Sequence, residues 1–96
     1  VIAHIVFFRL KEPSPGNLQE AKEKLLSMAG KLPMLRHLEV GIDLVRSERS
    51  FDIALYSHFD SMDDLMAYQV APYHAEVIVP YMKSVSSAIH AVDYEI

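Results

Sequence analysis

Val1-Ile2-Ala3-His4-Ile5-Val6-Phe7-Phe8-Arg9-Leu10 has no polar side. With the two-residue period of a strand, Ile2, His4, Val6, Phe8 and Leu10 point one way. Val1, Ala3, Ile5, Phe7 and Arg9 point the other way. Both faces are largely apolar, so both need covering. One layer of helices can cover one face only, and the rest of the chain must supply the second cover or borrow it.

Outward from this strand, Lys11–Asn17 holds two prolines and a glycine and reads as a loop. Ser14 before Pro15 suits a helix cap. Leu18, Ala21, Leu25, Met28 or Ala29, and Leu32 recur at helical spacing, which predicts a helix to about Leu32, stopped by Pro33. Leu35–Leu44 and Phe51–Asp60 read as strands joined by the polar hairpin loop Val45–Ser50. Phe51, Ile53, Leu55, Ser57 and Phe59 are expected on one face of the second of these. Ser61 followed by Asp64 resembles a capping box opening a helix to about Gln69. Pro72 starts another helical segment, and Pro80 predicts a break near Glu76–Pro80. Ala88–Ile96 is the last strand.

The order β-α-β-β-α-β predicts a ferredoxin-like α+β fold, a four-stranded antiparallel sheet with helices on one face, in a single domain over residues 1–96. If the other face carries about eight sizeable apolar side chains, leaving them wet would forfeit on the order of 10–20 kcal/mol. That rivals the stability of a whole domain. A homodimer closing two such sheets face to face is the economical cover.

Composition agrees. Hydrophobic residues make up 51% of 96 residues, more than one small core hides easily. The formal net charge of −4, without a basic run, speaks against nucleic acid as partner. There is no cysteine, hence no disulfide and no thiol chemistry, which fits a cytoplasmic protein. No apolar run approaches the roughly 20 residues of a membrane span, so no membrane partner is expected. The opening apolar stretch is too short for a signal peptide, and Arg9 lies on its wrong side. The Val at position 1 reads as the result of a trimmed initiator Met.

Six stretches stand out together: His4-Ile5-Val6-Phe7-Phe8-Arg9-Leu10, Pro33-Met34-Leu35-Arg36-His37-Leu38-Glu39-Val40-Gly41, Asp52-Ile53-Ala54-Leu55, Phe59-Asp60-Ser61, Asp93-Tyr94 and, most specific, Tyr68-Gln69-Val70-Ala71-Pro72-Tyr73-His74. They resemble the stress-responsive A/B barrel domain (Dabb) family of the dimeric α+β barrel superfamily. The resemblance implies a dimeric α+β barrel more firmly than an activity. In the family's plant polyketide cyclase branch, a catalytic histidine and a supporting tyrosine map onto His74 and Tyr68, and a strand histidine onto His4. Two further pocket positions, a tyrosine and a histidine in that branch, map onto Leu25 and Ile53. The resemblance thus implies a pocket with His74 and Tyr68 as catalytic candidates and His4, Leu25 and Ile53 as ligand contacts, suited to a small apolar or aromatic ligand.

Judged by residue type alone, His74 near a helix start can exchange protons near neutrality, or it can simply pack. Tyr68 can orient it or bind a ligand oxygen, or belong to the core. His4, mid-strand among apolar residues, reads as a core histidine bonded to a neighbour such as His74 or Tyr68. His37, His58 and His90 share no ligand spacing, so no metal is expected. Without a glycine-rich phosphate loop, no cofactor is expected either. Two functions remain open: a dimer binding a small apolar ligand, and a cofactor-free enzyme, polyketide-cyclase-like or related, with His74 as general base.

Overall fold

A computed structural model describes all 96 residues, Val1–Ile96. Strand β1 (Ile2–Leu10) runs inside a four-stranded sheet with β2 (His37–Ile42), β3 (Ile53–Phe59) and β4 (Ser86–Glu95). The spatial order is β2-β3-β1-β4, and every neighbouring pair is antiparallel. As an inner strand, β1 is hydrogen-bonded along both edges, while only the face carrying His4, Val6 and Phe8 is covered within the chain and Phe7 on the other face stays exposed. His4 is paired with Ser57 on one side and with Asp93 on the other. One face of the sheet lies under helices α1 (Pro15–Leu26), α2 (Met62–Val70), a π-helical segment (Tyr73–Ile78) and α3 (Val79–Val85). No helix is long and apolar enough to cross a membrane.

Ser14 caps α1 by accepting the Asn17 N–H at 3.2 Å, with Pro15 in the first turn. Leu18, Ala21 and Leu25 face the sheet. The helix ends at Leu26, short of the expected Leu32. There the Ser27 hydroxyl turns back onto the Lys24 carbonyl and also bonds Tyr73 Oη at 2.6 Å. Met28, Ala29 and Lys31 then donate to carbonyls three residues back, a tighter winding. Met28 and Leu32 still reach the core, so the apolar spacing outlasts the helix. Gly30 takes φ +79, a left-handed turn that a side chain would strain.

Regular helical bonding is interrupted just ahead of Pro80, where the sequence places a break, although the chain stays helical across it. The Val79 N–H bonds the His74 carbonyl five residues back, a widened π turn, and α geometry resumes with Pro80 in the first turn of α3. A first-turn residue needs no intrahelical donor, so the proline is accommodated there.

The helix-covered core gathers Val6 and Phe8 of β1, Leu55 and Phe59 of β3, and Leu25 and Leu65 from the helices. Each such buried side chain contributes about 1.5–3 kcal/mol. The opposite face is more mixed than strand alternation implied. Ile5, Phe7, Tyr56, Val92 and Tyr94 are interspersed with His37, His58 and His90. Phe51 also departs from expectation. It precedes β3 and turns to this face, where its ring lies 6.0 Å from that of Phe7 and 5.2 Å from that of His90. Asp52 ties this end of the sheet together: its backbone N–H donates to the Phe8 carbonyl at 2.9 Å, and its carboxylate accepts the Leu10 N–H at 2.7 Å and Arg46 Nη2 at 2.8 Å. Arg46 adopts φ 58 in that hairpin loop.

Candidate active site

On the sheet face under the helices two ionisable side chains, His4 and Asp93, stand directly opposite each other. His4 on β1 is buried, and its Nδ1 is hydrogen-bonded to Asp93 Oδ1 on β4. Its backbone carbonyl accepts the Ser57 hydroxyl at 3.1 Å, which ties the strand to β3 on the other side. With Nδ1–H donated to a carboxylate, His4 keeps its lone pair on Nε2, and that nitrogen has no bonding partner in the chain. Asp93 is the missed residue of this site. It was legible as part of a strand, but its partner was set by the β1–β4 register, which no local pattern encodes.

Tyr68 descends from α2 onto His4, with ring centroids 5.8 Å apart and edge-to-face geometry. It is 2% exposed, and its hydroxyl donates only to Met28 Sδ at 3.6 Å, a weak acceptor. Burial pushes the Tyr68 pKa up, so the phenol stays protonated and able to donate. His74 follows from the π-helical segment. Its ring lies 4.1 Å from that of Tyr68 and its Nδ1 donates to the Gln69 carbonyl at 3.4 Å. Burial is the main cause that holds the His74 pKa below the ordinary histidine value. The Gln69 bond opposes this shift, and the charge of His4 adds to it. His74 is therefore a neutral imidazole near neutrality.

Helix packing explains why these groups meet. Leu65 and Tyr68 are the buried positions of α2, three residues apart on one face. In the widened turn that follows, His74 and Ile78 are the buried pair. The π geometry thus presents His74 to the same side as Tyr68.

His4, Tyr68 and His74 share one cavity of about 210 Å³, of whose fifteen lining residues eleven are hydrophobic. Leu25 lines it as well. Ile53 does not: it is fully buried in the core, two positions along β3 from Leu55, which takes the lining position. The suggested link from His4 to His74 or Tyr68 by hydrogen bond is replaced by the bond to Asp93. A separate depression of about 240 Å³ beside Lys11, Glu12, Asn17 and Glu20 is polar and holds no histidine. No three His, Asp or Glu side chains converge as metal ligands.

A family model described as Stress responsive A/B Barrel Domain matches residues 2–96. The chain is 27% identical over 101 residues to a stress-response A/B barrel domain-containing protein of Arabidopsis thaliana, across 98% of this chain and 36% of that protein. It thus spans about a third of that relative's length. It is similar to the crystal structure of a dimeric protein with ferredoxin-like fold from Bacteroides fragilis, at TM-score 0.83 and 30% identity, covering 99% of this chain and 95% of that one. A hydroxynitrile lyase from Passiflora edulis matches at TM-score 0.86 and 22% identity, over 99% of this chain and 92% of that one, a likeness of fold.

Proposed function

Since the chain belongs to the stress-responsive A/B barrel domain family, we propose that residues 1–96 act as one such domain in a homodimer, each subunit taking a small, mostly apolar molecule into the cavity beside Tyr68. The observation that carries this reading is the convergence of His4, Tyr68 and His74 on a cavity otherwise lined by apolar side chains. Such a lining, with few polar groups that fix orientation, is typical of small-molecule sites. An apolar cavity of roughly 150 Å³ takes a benzene ring. A volume of about 210 Å³ therefore suits a single ring with a short substituent. One oxygen on that molecule would replace Met28 as acceptor for the Tyr68 hydroxyl. The dimeric Bacteroides fragilis neighbour supports the homodimer.

Acetophenone, a ring with one carbonyl, is a suitable probe. Titrated into the labelled protein, it should shift the amides of Leu25, Met28, Tyr68 and His74, and Tyr68→Phe should weaken it on the order of tenfold. Shifts confined to other residues, or none at millimolar probe, would remove the binding reading.

The Asp93–His4 pair favours a second reading, cofactor-free acid–base chemistry with His4 as the base. A carboxylate behind Nδ1 stabilises the imidazolium formed when Nε2 accepts a proton. His74, whose pKa burial lowers below the ordinary histidine value, suits an orienting role. In this reading His4 Nε2 removes a proton from the carbon next to a carbonyl. The bonding pair moves to the oxygen as an enolate, and Tyr68 donates to that oxygen. In heavy water the reverse step returns a deuteron, so acetophenone should lose its methyl proton signal faster with protein than without. His4→Asn should abolish the difference. An unchanged exchange rate in that variant would reject His4 as base.

A further inference from the structure

Three of the five histidines stand outside the cavity, on the sheet face turned away from the helices. His37 on β2 and His58 on β3 are direct cross-strand partners with ring centroids 5.1 Å apart. Tyr56 joins them: its hydroxyl is 2.7 Å from His58 Nε2 and its ring 5.9 Å from that of His37. His90 on β4 packs against Phe51 at the other end of the face. Between these imidazoles lie Phe7, Val92 and Tyr94, which are 39%, 55% and 46% exposed in the single chain. An imidazole placed beside such groups is buried whenever a second sheet covers them.

Full charges on this face are few. On β1, Arg9 lies over the Phe51 ring at 4.3 Å. On β2, Glu39 approaches His37 Nε2 at 3.6 Å. Beyond the ladder, Arg36 and Asp60 pair with each other at 2.9 Å and cancel. Tyr56 on β3 and Tyr94 on β4 are neutral phenols. Asp43, beside Phe7 and Phe51, pairs with Arg46 at 3.8 Å. With neutral imidazoles the unpaired side-chain charges of the face are one positive and one negative, Arg9 and Glu39. With three imidazoliums the balance becomes strongly positive, opposed by Glu39 and by whatever part of Asp43 its arginine leaves unneutralised.

We propose that this face closes on a second copy of the chain, and that protonation of His37, His58 and His90 opens the dimer. The proposal rests on the homodimer reading above, and adds to it a dependence on pH. The partner is the same surface, so two-fold pairing brings each set of imidazoles to a face bearing the same set. Closing the sheets removes water from the charges and doubles their number, whereas separated subunits leave them hydrated. The proton therefore binds the monomer in preference to the dimer, and association weakens as pH falls.

Sedimentation velocity over a concentration series at about pH 7.5 and about pH 5.5, on either side of ordinary histidine titration, tests this. Far-UV circular dichroism at both values separates dissociation from unfolding. The dimer dissociation constant should rise on the order of a hundredfold at the lower pH with secondary structure retained. In the triple variant His37→Asn, His58→Asn, His90→Asn that rise should shrink to within about threefold. Should the triple variant fold poorly, His37→Asn with His58→Asn, and histidine NMR titrations of the wild type at low and high concentration, give the same reading. The imidazole midpoints should be lower in the dimer. A monomer at the higher pH overturns the homodimer itself. A dimer equally tight at both values overturns the pH dependence. Equal weakening in the histidine variants assigns the effect to other groups and overturns the role of this face.

Discussion

His4 and Asp93 stand 89 residues apart in the chain and share a hydrogen bond from Nδ1 to Oδ1 across β1 and β4. The carboxylate end is 40% exposed and the imidazole end 6%. The pair thus links a buried ring to a partly solvated charge, and it selects the tautomer with a free Nε2.

The tautomer is directly observable. Above the histidine titration range, long-range proton–nitrogen correlation should show Nδ1 protonated and Nε2 bare for His4. Asp93→Asn should give a mixture, at a stability cost of about 1 kcal/mol or less because the carboxylate is partly solvated. A wild-type signal with the proton on Nε2 would contradict the pairing.

His74 should make stability depend on pH. Its folded pKa lies below its unfolded value, so between the two the unfolded chain binds more protons. Its contribution is fully present above the ordinary histidine pKa and is lost as pH falls from there through the depressed folded value. Urea titrations should therefore show a midpoint that falls with acidification, and less steeply in His74→Gln. Identical slopes for both proteins would exclude His74 as the source.

Pro80 lies in the first turn of α3, after the π turn has taken up the change of register. Pro80→Ala should alter stability by less than about 1 kcal/mol, since no donor is missing there and only unfolded-chain entropy changes. A gain of several kcal/mol, read from thermal unfolding, would mean the ring strains the helix after all.

Asp52 holds the loop end of the sheet by accepting the Leu10 N–H and the Arg46 guanidinium. Asp52→Ala should cost roughly 1–3 kcal/mol, mostly from the Leu10 N–H left without a partner. A chemical denaturation midpoint within error of wild type would show that water replaces the carboxylate there.

Much of this fold was legible because its signals are local. Ser14 and Ser61 cap helices in the chain as expected, and both accept a hydrogen bond from the backbone N–H three residues on. The end of α1 was not legible from spacing, because turns of three residues keep Met28 and Leu32 on the same side as Leu25. Of the pocket, Tyr68 and His74 come from one continuous stretch, whose family resemblance exposed them. Ile53 and Asp93 show the limit of that approach. Which β3 residue lines the cavity, and which β4 residue meets His4, depends on strand register.

By itself the amino-acid sequence determined the alternation of β1, the element order and the two apolar faces of β1, one of which calls for a second cover. These follow from side-chain type and period, which are properties of short stretches. Only the tertiary structure decided that Asp93 bonds His4, that Phe51 crosses to the face of Phe7 and His90, and that a π turn takes up the register change ahead of Pro80. Each of these is fixed by contacts or hydrogen-bond register formed as elements pack. A slip of one residue in a strand would reverse the faces while leaving the local pattern equally plausible.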